Sequence, residues 1–338
     1  MAGAVGERLF RESSAETIDD DLAALWCELG QRGTPIARAV MSNLVVFRDR
    51  VAPPDGDLAT VMADLPLDEV IARHPSRLIV IEYQAGSQQP DAPFAAGVGI
   101  ATFGPESARY GVEQVIVRSA CAEVALPSIV RRLTRGDLPT SVWWTEDLSA
   151  VPPLESLVTM GRQLVYDSRG WRDVRSALRV LEPLVRRHQI DLADVNWRRL
   201  SPLRRAFLQA GPGGTPLVAP GARVRIAHAA SEAALAWLLA GALMASSRAA
   251  LKEPPEVEAS EVGDAALVVT LEDASQRATV TLSASGATVA GPAAGSPLVV
   301  SIPIETAADA VAAELRLLSQ DTELHAALAA LVQLFAAR

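Results

Sequence analysis

Three short segments of this 338-residue chain set cations, hydroxyls and large aromatics side by side at the ends of apolar runs: Arg118-Ser119, Trp143-Trp144, and Asp167-Ser168-Arg169. In an open parallel sheet, ligands collect at the carboxyl ends of the strands. Ser119 stands where it would cap a following helix, whose first N–H groups would face an anion beside Arg118. Adjacent tryptophans on one strand point to opposite faces, so one belongs to the core and the other to the rim. Exposed Trp and Arg are also the residue types that dominate protein interfaces. Three readings stay open for this cluster: an ordinary packed loop edge, a protein-binding surface, or a site for a small anionic ligand such as a sugar phosphate.

Other chemistry finds little support. There is no GxxxxGK[ST] loop and no GxGxxG between a strand and a helix, and Gly97-Val98-Gly99 lies inside a strand pattern without a third glycine. The four histidines, His74, His188, His228 and His325, stand apart, and none has a second ligand at zinc-like spacing. His74 precedes Pro75 at a helix end, where its ring can meet the last carbonyls. There is no GxSxG elbow, and Ser128 has no evident base. Asp19-Asp20-Asp21 open a helix, where negative charge suits the dipole. These absences point to a chain without catalysis, cofactor or metal.

The elements that must position the three segments follow from periodicity. Apolar residues at helical spacing fill 15–31, 57–73, 120–133, 154–160, 171–187 and 201–210. Apolar, β-branched runs read as strands at 36–47, 77–83, 95–103, 112–118, 140–144 and 163–166. The run 77–83 carries Leu78-Ile79-Val80-Ile81 without a break, as a strand buried on both faces should. Such alternation predicts an α/β fold with a mostly parallel sheet and helices on both faces. A Gly/Pro-rich break places a linker at 211–222, dividing a domain at 1–210 from a smaller α+β domain at 223–338. The second domain opens on an apolar helix over 229–245. Short strands follow at 256–261, 265–271, 277–283 and 298–302, and helices at 306–319 and 322–336 close the chain, the last capped by Asp321.

Composition bounds the partners. A formal net charge of −9 argues against nucleic acid, which requires clustered cations. The densest arginine runs, such as Arg131-Arg132 and Arg186-Arg187, read as solvated helix faces. Cys27 and Cys121, far apart in apolar helical contexts, read as small buried hydrophobes. The N-terminus lacks the pattern of a secretory signal, and the uncharged run after Glu232 falls short of the ~20 residues a membrane span needs. The expectation is a cytoplasmic protein that touches no membrane.

Several segments, in order, resemble one family. They are Arg38-Ala39-Val40-Met41-Ser42-Asn43-Leu44-Val45-Val46; His74-Pro75-Ser76-Arg77-Leu78-Ile79-Val80; Glu113-Gln114-Val115-Ile116-Val117; Leu126-Pro127-Ser128; Asp137-Leu138-Pro139 with Trp143-Trp144; Val165-Tyr166-Asp167-Ser168; and Asp194-Val195-Asn196-Trp197-Arg198-Arg199-Leu200-Ser201-Pro202. The series is similar to the OpcA family of glucose-6-phosphate dehydrogenase assembly proteins, with a looser likeness over 237–241 and near the C-terminus. The resemblance implies an accessory protein that binds glucose-6-phosphate dehydrogenase and promotes its assembly or activity in the oxidative pentose phosphate pathway. It adds Arg38, Asn43, His74, Arg77, Asn196, Trp197 and Arg198 to the site candidates, which are expected to shape one region with Arg118, Trp143, Trp144, Asp167 and Arg169.

Overall fold

The computed structural model describes residues 6–32, 35–49, 64–83, 95–119, 123–187, 189–209, 218, 221–246, 251, 253–273, 277–291, 297–301, 305–317 and 319–337. The first part of the expected 57–73 helix, Cys121, His188 and most of the 211–222 linker lie outside the described residues.

Six strands of the first sheet run parallel: β3 (Ser42–Asp49), β4 (Ser76–Tyr83), β6 (Arg109–Ser119), β7 (Thr140–Trp144), β8 (Gln163–Tyr166) and β9 (Asp191–Asp194). Across the sheet they lie β6-β4-β3-β7-β8-β9. Numbered along the chain, that is the 3-2-1-4-5-6 order of doubly wound dinucleotide-type folds. β5 (Ala95–Phe103) pairs antiparallel with β6, and β1 (Glu7–Ser13) with β5, while β2 (Ile36–Arg38) adds a short parallel partner to the start of β6.

Alternation along the strands supplies two cores. Val45, Phe47, Ile79, Ile81, Val142, Trp144, Leu164 and Tyr166 belong to one buried cluster; Leu44, Val46, Leu78, Val80, Trp143 and Val165 belong to the other. All eight residues of β4 are buried, as its apolar run required. The first core takes α1 (Ile18–Gln31), α3 (Leu126–Leu133) and α5 (Val174–Arg187); the second takes α2 (Leu67–Arg73). The expected mostly parallel sheet with helices on both faces is present.

The second sheet runs β11-β10-β12-β13-β14-β15, from β10 (Arg223–His228) and β11 (Glu256–Ala259) through β12 (Leu267–Glu272), β13 (Arg277–Ser283), β14 (Gly286–Ala290) and β15 (Leu298–Ser301). Among its described residues only β10 and β11 pair in parallel. The apolar run at 229–245 folds as α7 (Ala233–Ala245) behind a short 3-10 turn, and among the described residues no helix is long and apolar enough to cross a membrane. At Gly241 the backbone of α7 meets α9 (Thr322–Ala336): a Cβ there would lie 2.5 Å from the Ala327 carbonyl oxygen. The chain then returns to the first sheet. α8 (Ala307–Arg316) lays Ala308, Val311 and Leu315 into the second core beside α2, and α9 packs on α5 and α7.

Three readings need correction. α3 begins at Leu126 after a 3-10 turn, with Ala125 at its N-cap, so Ser119 does not cap it. Cys27 lies on the exposed face of α1, because the apolar stripe runs through Leu22, Leu25 and Leu29 instead. Trp143 and Trp144 do point to opposite faces, but both are buried, at 7% and 0% exposure, since β7 is an interior strand covered on each side.

Candidate functional site

The candidate residues divide between opposite edges of the first sheet. Arg118, Ser119, Trp144, Asp167, Ser168, Arg169 and Asn196 lie at the carboxyl ends of the strands. Arg38, Asn43, His74 and Arg77 lie at the amino ends. The expectation of one shared region is therefore corrected. Residues near each other in a strand-initial motif and a strand-terminal motif are separated by the length of the strand, which period alone does not reveal.

At the carboxyl edge, polar groups are committed to one another. Arg118 Nε donates to Glu82 at 2.6 Å, and the Glu82 side chain is 3% exposed. Ser119 is buried. At the point where strand order reverses, between β3 and β7, Trp144 stacks on Phe47 at 3.8 Å and 5°. Thr145 Oγ1 donates to the Phe47 carbonyl at 2.8 Å, and the Asp49 amide donates to Glu146 at 3.1 Å. In dinucleotide folds this crevice receives the pyrophosphate. Here its described rim carries the carboxylates Asp49 and Glu146, which repel phosphate.

Further along, Arg169 forks onto Asp167 with Nε and Nη2, at 2.9 and 2.6 Å. Buried Asp194 Oδ1 accepts from the amides of Ser168 and Asn196, at 3.1 and 2.9 Å. Asn196 Nδ2 donates to Ser168 Oγ at 3.0 Å, and Asn196 Oδ1 accepts from Arg199 at 2.9 Å. Asp194 Oδ2 and the Tyr166 hydroxyl are buried without a hydrogen-bond partner among the described residues. Burial, with the nearby Asp167 charge, pushes the Asp194 carboxyl up to about 7. Burial raises the Tyr166 phenol as well, helped by Asp194 and Glu314.

Trp197 and Arg198 tie the C-terminal helices to the first sheet. Trp197 Nε1 donates to Asp321 at 2.9 Å, and Asp321 also caps α9 through the amides of Glu323 and Leu324, as expected. Arg204 stacks over the Trp197 ring at 4.6 Å. Arg198 forks onto Glu305 at 3.0 and 2.7 Å and reaches Glu314 at 2.9 Å. Burial raises the Glu314 carboxyl, against the pull of Arg198.

The amino edge is built around two buried anchors. Glu113 accepts from Arg38, from Arg77 at 2.6 Å, from Trp26 Nε1 at 2.9 Å and from Arg135 at 3.4 Å. Asn43, fully buried, donates to the carbonyls of Arg135 and Leu138 and to Thr140, and accepts from the Arg135 amide at 2.9 Å. This locks the loop before β7 beneath β3.

His74 turns its ring away from the helix carbonyls it was expected to meet. Nε2 lies 3.1 Å from Ser42 Oγ, which in turn sits 2.8 Å from Ser76 Oγ. Nδ1 is buried without a partner among the described residues, and burial with the Arg316 charge holds the imidazole below its ordinary value. His74 and Ser42 line a cavity of about 260 Å³, with Ser141, Gln163, Arg162, Arg316, Met41 and Leu317 around it. Met41 and Leu317 are exposed large hydrophobics, at 58% and 46%. Nothing in the local pattern singled out Leu317 or Arg316. They reach this edge because α8 ends here, more than 270 residues after Met41 in the chain.

Arginines gather at the amino edge for a structural reason, although several are paired there: Arg73 with Asp309, Arg162 with Asp191, Arg186 with Glu182 and Arg187 with Glu155. Helices that return between parallel strands end at this edge, and cations suit helix C-termini. Arg73 closes α2, Arg131 and Arg132 close α3, Arg186 and Arg187 close α5, and Arg316 closes α8. Among the described residues, no group of three or more His, Cys, Asp or Glu is arranged to hold a metal.

A doubly wound sheet with an appended antiparallel sheet, polar groups bonded to one another at its switch point, defines an α/β scaffold of the dinucleotide-fold type. Two family models match it, both describing a glucose-6-phosphate dehydrogenase subunit: one its N-terminal domain, over residues 67–183, the other its C-terminal domain, over residues 190–328. The chain belongs to the OpcA family of glucose-6-phosphate dehydrogenase assembly proteins. No curated protein matches it. Among solved structures it is similar to transcriptional regulator Gal80p of Kluyveromyces lactis, at 10% identity and a TM-score of 0.45, covering 96% of this chain and 95% of that one. It is also similar to a Gal80p super-repressor mutant of Saccharomyces cerevisiae, at 8% identity and a TM-score of 0.42, over 88% and 95%. A third likeness is to a probable oxidoreductase, yhhX, at 8% identity and a TM-score of 0.40, over 88% and 97%.

Proposed function

We propose that this chain is a non-catalytic cytoplasmic accessory protein that binds glucose-6-phosphate dehydrogenase and promotes its assembly or active conformer. The observation that carries the reading is the match of both family models, in order, across 67–328. The candidate polar residues support it. Arg118, Asp167, Arg169, Asn196, Trp197 and Arg198 are engaged in internal bonds that hold strand ends and helices, an arrangement suited to a rigid binding scaffold. A partner shifts an equilibrium only by its differential affinity for the two states. This chain would therefore bind the assembled, active dehydrogenase more tightly than the inactive one, and so favour NADP reduction in the oxidative pentose phosphate pathway.

The test is a dehydrogenase assay with and without the purified chain. The expected result is a higher maximal rate, a lower substrate requirement or a larger assembly. If rate, substrate dependence and oligomeric state all stay unchanged with the chain in excess, the reading fails.

A further inference from the structure

We propose that the amino edge of the first sheet, opposite the edge where such folds bind ligands, is the face that docks the dehydrogenase. The occupant we assign is an acidic segment of that partner, carrying one apolar side chain that enters the cavity beside His74. This rests on the function proposed above and names the surface that performs it.

Three independent features meet there. Met41 and Leu317 are two exposed large hydrophobics on either side of one cavity, contributed by β3's entry and α8's exit. Exposed apolar groups rimmed by polar ones mark interaction sites. The cavity, about 260 Å³, has room for one apolar side chain and is lined by Met41, Leu315 and Leu317 together with the polar Ser42, His74, Ser141 and Gln163. Arg162 and Arg316 flank it; Arg162 lies 3.7 Å from Asp191, and Arg38 and Arg135 share Glu113, whereas Arg131, Arg132 and Arg316 form no ion pair among the described residues. On a chain of net charge −9, Arg131, Arg132 and Arg316, outside any ion pair among the described residues, are local cations that favour an acidic partner and speed its approach.

The same charges disfavour a second copy as occupant. A two-fold pairing would set the edge that carries these arginines against itself. The anchors beneath the surface are rigid: Asn43 fixes the loop before β7, and Glu113 holds Arg38, Arg77 and Arg135. A preformed face loses little freedom on binding.

The experiment measures binding of full-length chains to the dehydrogenase by biolayer interferometry at two salt concentrations. Met41→Asp, Leu317→Asp and the double charge reversal Arg162→Glu with Arg316→Glu are expected each to weaken binding by about tenfold or more. The reversal should also flatten the salt dependence. Arg225→Glu, on the second sheet, should leave affinity unchanged. Melting temperatures near that of the parent establish folding, and Met41→Gln and Leu317→Gln replace any Asp variant that fails to fold. If the parent binds and the edge variants bind within about twofold of it, the docking face is elsewhere while the functional reading stands. If the parent itself neither binds nor activates, the functional reading falls. The assignment is also overturned if Arg225→Glu weakens binding as much as the edge variants do. It is equally overturned if the edge variants abolish self-association, single-stranded DNA binding or glucose 6-phosphate binding by the parent chain.

Discussion

Asp194→Asn isolates a buried carboxyl whose ionisation the fold resists. Asp194 sits at the end of β9 with Oδ1 bonded to two backbone amides and Oδ2 unpartnered among the described residues, and its carboxyl is pushed up to about 7 from an ordinary 3.8. Between these two values the unfolded chain has released the proton and the folded chain still holds it. The folded state then binds more protons, so stability falls as pH rises from about 4 to about 7 and levels off above that. A gap of about three pH units at about 1.36 kcal/mol each makes the loss as much as about 4 kcal/mol. Asparagine keeps the acceptor for the Ser168 and Asn196 amides and has no proton to lose. Urea denaturation at intervals from pH 4 to pH 8 should show the two proteins equally stable near pH 4, and the variant increasingly more stable toward pH 8. Other titrating groups, Glu314 among them, affect both proteins alike and cancel in the difference. Parallel curves across that range would refute the argument that burial holds this proton.

Arg118→Ala should destabilise the chain by about 1.5–3 kcal/mol, because it removes a charged hydrogen bond at 2.6 Å to Glu82, 3% exposed; a melting temperature close to the parent's would show Arg118 to be a surface group. Gly241→Ala should cost about 1–3 kcal/mol in a denaturant titration, since its methyl must push α9 away at the Ala327 carbonyl; no loss would mean that the α7–α9 contact relaxes freely.

Much of the fold was legible in local pattern. The apolar run of β4 announced a strand buried on both faces, and Asp321 announced the start of α9. β13 and α9 fall where their periodicity puts them. Short or weakly alternating strands were missed: β1, β9 and β14 carry too little of a two-residue period to stand out, and β10, though it alternates exposed and buried, is a six-residue run between the linker and the apolar helix. β9, Asp191–Asp194, is half acidic and is a strand because β8 offers it a parallel edge.

The site was less legible. Arg118, Trp144 and Asp167 caught attention as residue types, yet Arg118 and Trp144 are engaged by neighbours distant in sequence, Glu82 and Phe47, and Asp167 by Arg169 two residues on. The family segments were visible as a series, but their division between two edges was not. By itself the sequence determined the class of fold, the character of the long helices and strands, and the family. Tertiary structure alone decided strand order, the burial of both tryptophans, and the meeting of Met41 with Leu317. The physical reason is that periodicity records which face of an element is apolar, whereas neighbours and edges arise from contacts between segments hundreds of residues apart, chosen by packing and charge together.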